Sequence, residues 1–309
     1  MISLANKLDL RSALVAEQNT ANLVGTPGTT PGLGGTDAYL IYAQAGQKLM
    51  EEGFPIDESD TCMVITPAMR TGWLDFAKAF FNPTGAISKQ WEKGQVSNAF
   101  NYKWHIDQNI PTQVIGALGG TPTANGANQT GTSILTTGWT ANIAGLLNVG
   151  DVISWANVFA VNPQSRQSTG SLRNFVIQVV AASANDTTST LNIMPAIVPS
   201  GQFQNVSASP TVNALINVYN TAAAGQGALA GLSTPQGLLF HKQAFAFVSF
   251  PGDVPDGVDM GFEDRSSEIG VSLRFVRIWD GYRDQWVNRF DVYYGIAPLY
   301  MEGSCRVAA

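Results

Sequence analysis

Charge is scarce in this chain. Acidic and basic side chains together make up 13% of its 309 residues, against roughly 25% in ordinary soluble domains. Such a surface is covered by Gly, Ser, Thr, Asn, Gln and apolar atoms, and it loses little desolvation energy when another surface docks on it. Cysteine is scarcer still. Cys62 and Cys305 lie far apart and neither belongs to a Cys-x-x-Cys pair, so neither a metal framework nor a disulfide scaffold is indicated. Histidine occurs twice, at His105 and His241, which leaves little raw material for a catalytic triad. No apolar run of about 18 residues occurs, so no helical membrane span is expected. Lys7, Asp9 and Arg11 interrupt the stretch that a signal peptide would need to be apolar. The 17 basic residues are outnumbered by 23 acidic ones, for a net charge of −6. That balance argues against a protein whose main task is to grip nucleic acid, and it leaves room for one that encloses it.

What the chain does have is a sequence of unlike segments. Leu4, Leu8, Leu14 and Val15 fall on one helical face, which predicts a helix from about Leu4 to Val24, stopped by Gly25 and Pro27. After a Gly/Pro loop, Thr36 or Asp37 can cap a second helix carrying Ala38, Ile41, Ala45 and Leu49. A short strand over Met63 to Ile65 leads to Thr66-Pro67, which opens a third helix with the stripe Met69, Trp73, Phe76 and Phe80, ended by Asn82-Pro83. From about Asn125 the helical spacing disappears. Strands are predicted at Ser133 to Thr137, Val152 to Trp155, Phe175 to Val180 and Leu191 to Met194, with turns at 148–151, Asn162-Pro163 and Asn185-Asp186. These spacings suggest a small barrel or sandwich. Val212 to Tyr219 then reads as helix and Leu238 to Phe250 as one strand. The end of the chain is the clearest element. Val271 to Trp279 and Trp286 to Tyr294 alternate with period two around a turn that begins at Asp280-Gly281, the signature of a β-hairpin. One face of its second strand carries Trp286, Phe290, Val292 and Tyr294, and the other carries Val287, Arg289, Asp291 and Tyr293. The fold class is α+β, with an all-β module over 125–200 between host segments 1–124 and 201–309.

Catalytic and ligand motifs are weak. Gly32-Leu-Gly-Gly35 lacks both the leading strand and the lysine of a phosphate loop. The acidic residues Glu51, Glu52, Asp57, Glu58 and Asp60 lack the ligand spacing of a calcium loop and read as a solvated helix end and turn. His105 and Asp107, two apart on a strand, can share a face as a catalytic dyad. Trp91, Trp104, Trp139, Trp155, Trp279 and Trp286 can build a stacking platform for sugars, or serve as core and interface anchors. Arg265, Arg274, Arg277, Arg283 and Arg289 make the C-terminal region the most basic part of the chain, able to pair across a contact or within the subunit.

The segment Arg289-Phe-Asp-Val-Tyr-Tyr-Gly295 with Ala297-Pro-Leu-Tyr300 resembles the C-terminal signature of tailed-phage major capsid proteins, in the subgroup with an inserted barrel. Phe81-Asn-Pro83 with Ile87-Ser88, and Trp104 to Thr112, look like that group's central host motif. Gly150-Asp-Val-Ile153, Ala160 to Gly170 and Phe175-Val176 look like its inserted barrel, and Gly25 to Pro31 also matches.

This resemblance implies the Hong Kong 97-like fold, a subunit of axial and peripheral domains interrupted by an insertion domain. It implies a coat protein with no active site and no cofactor, assembling into the pentamers and hexamers of an icosahedral shell. Scaffolding protein, portal and enclosed double-stranded DNA are the implied partners, and the virion is the implied location. Relatives carry an N-terminal arm and extended loop before the long helix, and these are expected to be missing here. The turns at 162–170 and 251–263 are expected to form contacts between subunits, with Arg166, Asp253, Asp256, Glu263 and Asp264 as the charged candidates. The rival reading is a glycan-binding or adhesive β module using Trp139 or Trp155.

Overall fold

The computed structural model describes residues 2–33, 36–77, 99–183, 187–219, 221, 227–266 and 270–309. Among the described residues three α-helices and seventeen strands follow in chain order, so the fold is α+β and dominated by sheet. The expectations for Phe80, Asn82-Pro83, Phe81 to Ser88, Trp91, Gly34-Gly35 and Asn185-Asp186 lie outside the described residues.

Helix α1 (Ile2–Asn19) is shorter than its apolar spacing predicts. The Asn19 side-chain amide and the Thr20 hydroxyl each donate to a carbonyl four residues back, Val15 and Ala16, at 2.8 Å. The chain then turns into β1 (Leu23–Val24), which pairs in parallel with Arg306 and Val307 near the C-terminus. Distant strand pairing overrides the helical reading of Leu23 and Val24. Helix α2 (Ala38–Glu51) begins where Asp37 accepts the Leu40 N–H at 3.1 Å, and it buries Ala38, Tyr42, Ala45 and Leu49. After β2 (Thr61–Ile65), Thr66 Oγ1 accepts the Met69 N–H and opens α3 (Pro67–Ala77).

Strands β3 (Lys103–Ile106) and β4 (Thr112–Val114) complete the first half of the host. The next six are β5 (Gly120–Ala124), β6 (Gly131–Trp139), β7 (Val152–Val161), β8 (Ser168–Ile177), β9 (Ser189–Ile197) and β10 (Ile216–Val218). They form one six-stranded sheet in the order β10-β7-β8-β9-β6-β5. The helix expected over Val212 to Tyr219 is therefore a turn followed by an edge strand. Asn213 takes a left-handed φ of 61°, and Ile216 to Val218 pair with Trp155 to Ile153. The β-branched Ile216 and Val218 suit that strand better than a helix.

Strand β11 (Ser233–His241) is the centre of the host sheet, whose order is β1-β17-β11-β2-β3, with β4 pairing to the start of β11. Leu238 to Phe250 is not one strand. The chain reverses after His241, where the Ala244 N–H donates to the His241 carbonyl at 2.8 Å, and β12 (Phe245–Phe250) belongs to a different sheet. The last strands are β13 (Met260–Arg265), β14 (Ser272–Asp280), β15 (Gln285–Asp291), β16 (Tyr293–Pro298) and β17 (Ser304–Ala308). The predicted hairpin is β14-β15, with Trp279 opposite Trp286. Its second strand is broken at Val292, and Tyr293 onward pairs with β12 instead.

Two apolar cores follow from this division. One lies in the β5–β10 sheet around Trp139, Trp155, Phe175 and Ile216, and the other packs α2 and α3 on the host sheet around Tyr42, Leu49, Met63 and Leu239. Cys62 and Cys305 are both unpaired, and full burial pushes the Cys305 thiol up to about 12.

Candidate assembly surface

The β13-β14-β15 sheet has two unlike faces. Register places Glu263, Arg274 and Asp291 side by side on the inner face. Arg274 holds this face together. It donates Nη2 to Asp291 Oδ2 at 2.6 Å and to the Tyr293 hydroxyl at 2.7 Å, and Nη1 to the Asp253 carbonyl at 2.6 Å. Burial alone would raise the Asp291 carboxyl, but Arg274 and Arg289 more than offset it, so Asp291 sits below the ordinary carboxylate value. The 251–258 loop folds over this face, with Val254 and Val258 against Gly261.

The outer face is apolar and open. Phe262, Phe275 and Phe290 form a ladder across the three strands with ring centroids 5.2 and 5.0 Å apart, and Trp279 meets Trp286 edge-on at 5.0 Å. Arg277 lies 4.2 Å over the Trp286 ring. Both indoles keep 45% of their surface in solvent, and Met260, Phe262 and Phe290 are also exposed. At the hairpin tip Tyr282 is fully exposed, supported by its N–H bond to Asp280 Oδ1 at 3.0 Å. A contiguous aromatic face of this kind marks a protein contact surface.

The charged candidates are all exposed but do not form one cluster. Glu263 and Asp264 lie on β13, while Asp253 and Asp256 lie on the neighbouring loop, where Asp253 contributes its carbonyl to Arg274. Arg166 is on a different sheet, in the turn after β7 at a φ of 55°, with its N–H bonded to the Asn162 carbonyl. That turn touches the subunit's own host, because Asn162 Nδ2 donates to the Glu51 carbonyl at 3.0 Å.

The basic C-terminal region and the acidic segment pair mostly within the subunit. Arg274 and Arg289 share Asp291, and Lys242 meets Asp60 at 2.7 Å. Contacts from Lys242 and Ser59 hold the Asp60 carboxyl below its usual value. Glu52 is not solvated, contrary to the reading of this segment as a helix end and turn. It is buried against Arg173 of β8, whose Nη2 also approaches Glu302 at 3.7 Å, while Glu51 accepts the Ser171 hydroxyl at 2.8 Å. Asp57 and Glu58 remain exposed.

A second seam is equally polar. Asp151, fully buried, accepts from the Asn148 N–H at 2.8 Å, the Gly116 N–H and Gln113 Nε2 at 3.0 Å, and the Tyr219 hydroxyl at 3.2 Å. Burial raises its carboxyl, and these four bonds pull the other way. Arg306 of β17 donates to the Gly150 carbonyl at 2.7 Å. Sequence reasoning saw a turn at 148–151 and missed its function as an anchor, although a buried aspartate after Gly150 is the signal that a turn side chain has other partners.

The remaining motifs lose their functional readings. Trp139 and Trp155 are buried in the core and cannot present a face to a sugar. Trp104 stacks among Tyr42, Trp73 and Tyr102. His105 is exposed on β3, whereas Asp107 lies beyond the strand end, accepts the Asn109 N–H at 2.9 Å and sits beside Asp9 rather than His105.

Solved structures similar to this chain include two phage proteins. The CUS-3 coat protein I-domain is 24% identical, covering 33% of this chain and 96% of its own, with a TM-score of 0.25. A Mycobacterium phage Che8 chain is 10% identical with a TM-score of 0.40, and the match spans 99% of this chain but 59% of that one. No curated protein matches the sequence. The model of the P22 coat protein family (gene protein 5) matches residues 2–302, nearly the whole chain, and the chain belongs to that family.

Proposed function

We propose that this coat protein builds the icosahedral shell of a tailed phage as a Hong Kong 97-like subunit with an inserted β-barrel. The barrel is the 125–200 module, and the flanking strands β5 and β10 extend its sheet on either side of those bounds. The host domain is 1–124 together with 201–309. Pentamers and hexamers of the chain enclose double-stranded DNA, with a scaffolding protein guiding assembly and a portal at one vertex, and the virion is its location. Membership of a structural family speaks for a non-enzymatic role. The described residues hold no helix long and apolar enough to cross a membrane.

The observation that carries the reading is the outer face of β13-β14-β15. Heterologous contacts in a shell need desolvatable surfaces repeated in every subunit, and aromatic side chains with few charges supply them. Contacts at 162–170 and 251–263, including Arg166, Asp253, Asp256, Glu263 and Asp264, are further polar contacts between subunits. The net charge of −6 keeps the inner wall from holding packaged DNA by phosphate pairing.

The test is a Trp286→Asp, Phe290→Asp double variant co-expressed with the phage scaffolding protein. Both positions are exposed, so the folded subunit loses only about 1–2 kcal/mol of cross-strand pairing. Electron microscopy is expected to show shells from the parent chain and none from the variant, which stays a folded monomer. Normal shells from the variant would remove this face from the assembly.

A further inference from the structure

Beside α1 lies a cavity of about 510 Å³, lined by the helix on one side and by strands β2, β3, β11, β12 and β16 on the other. Its walls include Leu238, Phe247 and Ile296, and its polar side chains are the acids Asp9, Glu17 and Asp107 together with Ser12, His105 and Gln236. At the inner end Glu17 is 3% exposed, and both its carboxylate oxygens are buried without a hydrogen bond. At the outer end Asp9 and Asp107 lie together, tied by Asn109, which donates Nδ2 to Asp9 at 3.1 Å and its backbone N–H to Asp107 at 2.9 Å.

We propose that this cavity binds an aliphatic polyamine, with one terminal ammonium on Glu17, the other between Asp9 and Asp107, the internal ammonium facing Ser12 and Gln236, whose buried Oε1 accepts no hydrogen bond, and the methylenes along the apolar wall. A buried acid left without a partner costs free energy that a bound cation recovers. Asp9 and Glu17 are eight residues apart on one helix, so their Cα atoms stand about 12 Å apart along its axis. That span calls for a triamine such as spermidine and is too long for a four-carbon diamine.

The charged surroundings fix the pH dependence. From α1 come Asp9 and Glu17, from β3 and the residues after it His105 and Asp107, and from β17 Arg306, which donates to Gly150 and makes no ion pair with Glu17. Strands β2, β11, β12 and β16 bring no titratable side chain to the cavity. Burial pushes the Glu17 carboxyl up to about 8, with Arg306 opposing. An ammonium binds the ionised form, so binding expels a proton from Glu17 and tightens as pH rises toward that value.

The test is calorimetric titration of spermidine into the unassembled full-length chain at constant ionic strength, in two buffers of different ionisation enthalpy. One saturable site is expected, with heats that differ between buffers because a proton is released, and with affinity increasing from about pH 6.5 to 8.5. Putrescine binds at least about tenfold more weakly, and Glu17→Gln and Asp9→Asn each weaken spermidine by at least about tenfold while circular dichroism stays unchanged. If Glu17→Gln does not fold, Asp9→Asn at the partly exposed end gives the same reading. No saturable heat, or unchanged affinity in the folded variants, overturns the site. Equal competition by magnesium overturns it too, because that is the mark of nonspecific surface charge.

Discussion

Glu17 and Glu52 are both buried carboxyls, and they differ in whether a cation meets them. Glu17 accepts no hydrogen bond and burial outweighs the opposing Arg306 charge, so in the folded chain it keeps its proton up to about pH 8, whereas its ordinary value is 4.5. The folded state therefore holds an extra proton between those values, and stability falls as pH rises across that window. Glu17→Gln should remove this decline, making the variant more stable than the parent at about pH 8, as read by urea unfolding at several pH values. A parent chain whose stability is flat from pH 5 to 8 would contradict the assignment. Glu52 instead faces Arg173, which is 2% exposed. Breaking that pair with Glu52→Gln leaves the buried guanidinium only the more distant, more exposed Glu302 and should cost about 3 kcal/mol, whereas replacing both partners by apolar residues should cost clearly less. Equal losses would mean that the pair does not couple. Neither residue was legible as buried from sequence. Glu17 sits in a helix whose apolar spacing gave no reason to place it inward, and Glu52 belonged to an acidic run that reads as solvated.

At the level of elements, local signals were sound wherever capping or turn chemistry decides the outcome. Asp37 before α2, Thr66-Pro67 before α3 and Asp280-Gly281 in the hairpin each appear where their side chains suit the backbone. Leu23-Val24 and Ile216 to Val218 were misread because their partners, β17 and β7, are far away in sequence. The break at Val292 is of the same kind, since β16 leaves β14 to pair with β12. Period two made the shared face of Trp286 and Phe290 legible. Its exposure was not, because burial depends on what packs above it. Arg274 joins these elements, and Arg274→Ala should accelerate hydrogen exchange in 251–258 and 285–291 while leaving the β5–β10 sheet protected. Uniform acceleration would show that the terminal sheet is no separate unit.

Among the described residues two apolar cores are joined along polar seams, Asp151 with Arg306 at one and Glu52 with Arg173 at the other. These seams hold the β5–β10 sheet to the sheet centred on β11, and the aromatic face of β13-β14-β15 stays exposed. Scarce charge is the sequence property that foreshadowed this arrangement. A surface with few ions to desolvate can be covered repeatedly at little cost. Family membership makes the chain a phage coat protein, and the aromatic face is the proposed place where its subunits meet. The direct measurement is a cryo-electron-microscopy reconstruction of particles assembled from the complete gene product with its scaffolding protein. The account predicts closed icosahedral shells in which Phe262, Trp279, Trp286 and Phe290 are buried against a neighbouring subunit. Shells in which that face points to solvent in every subunit would contradict it.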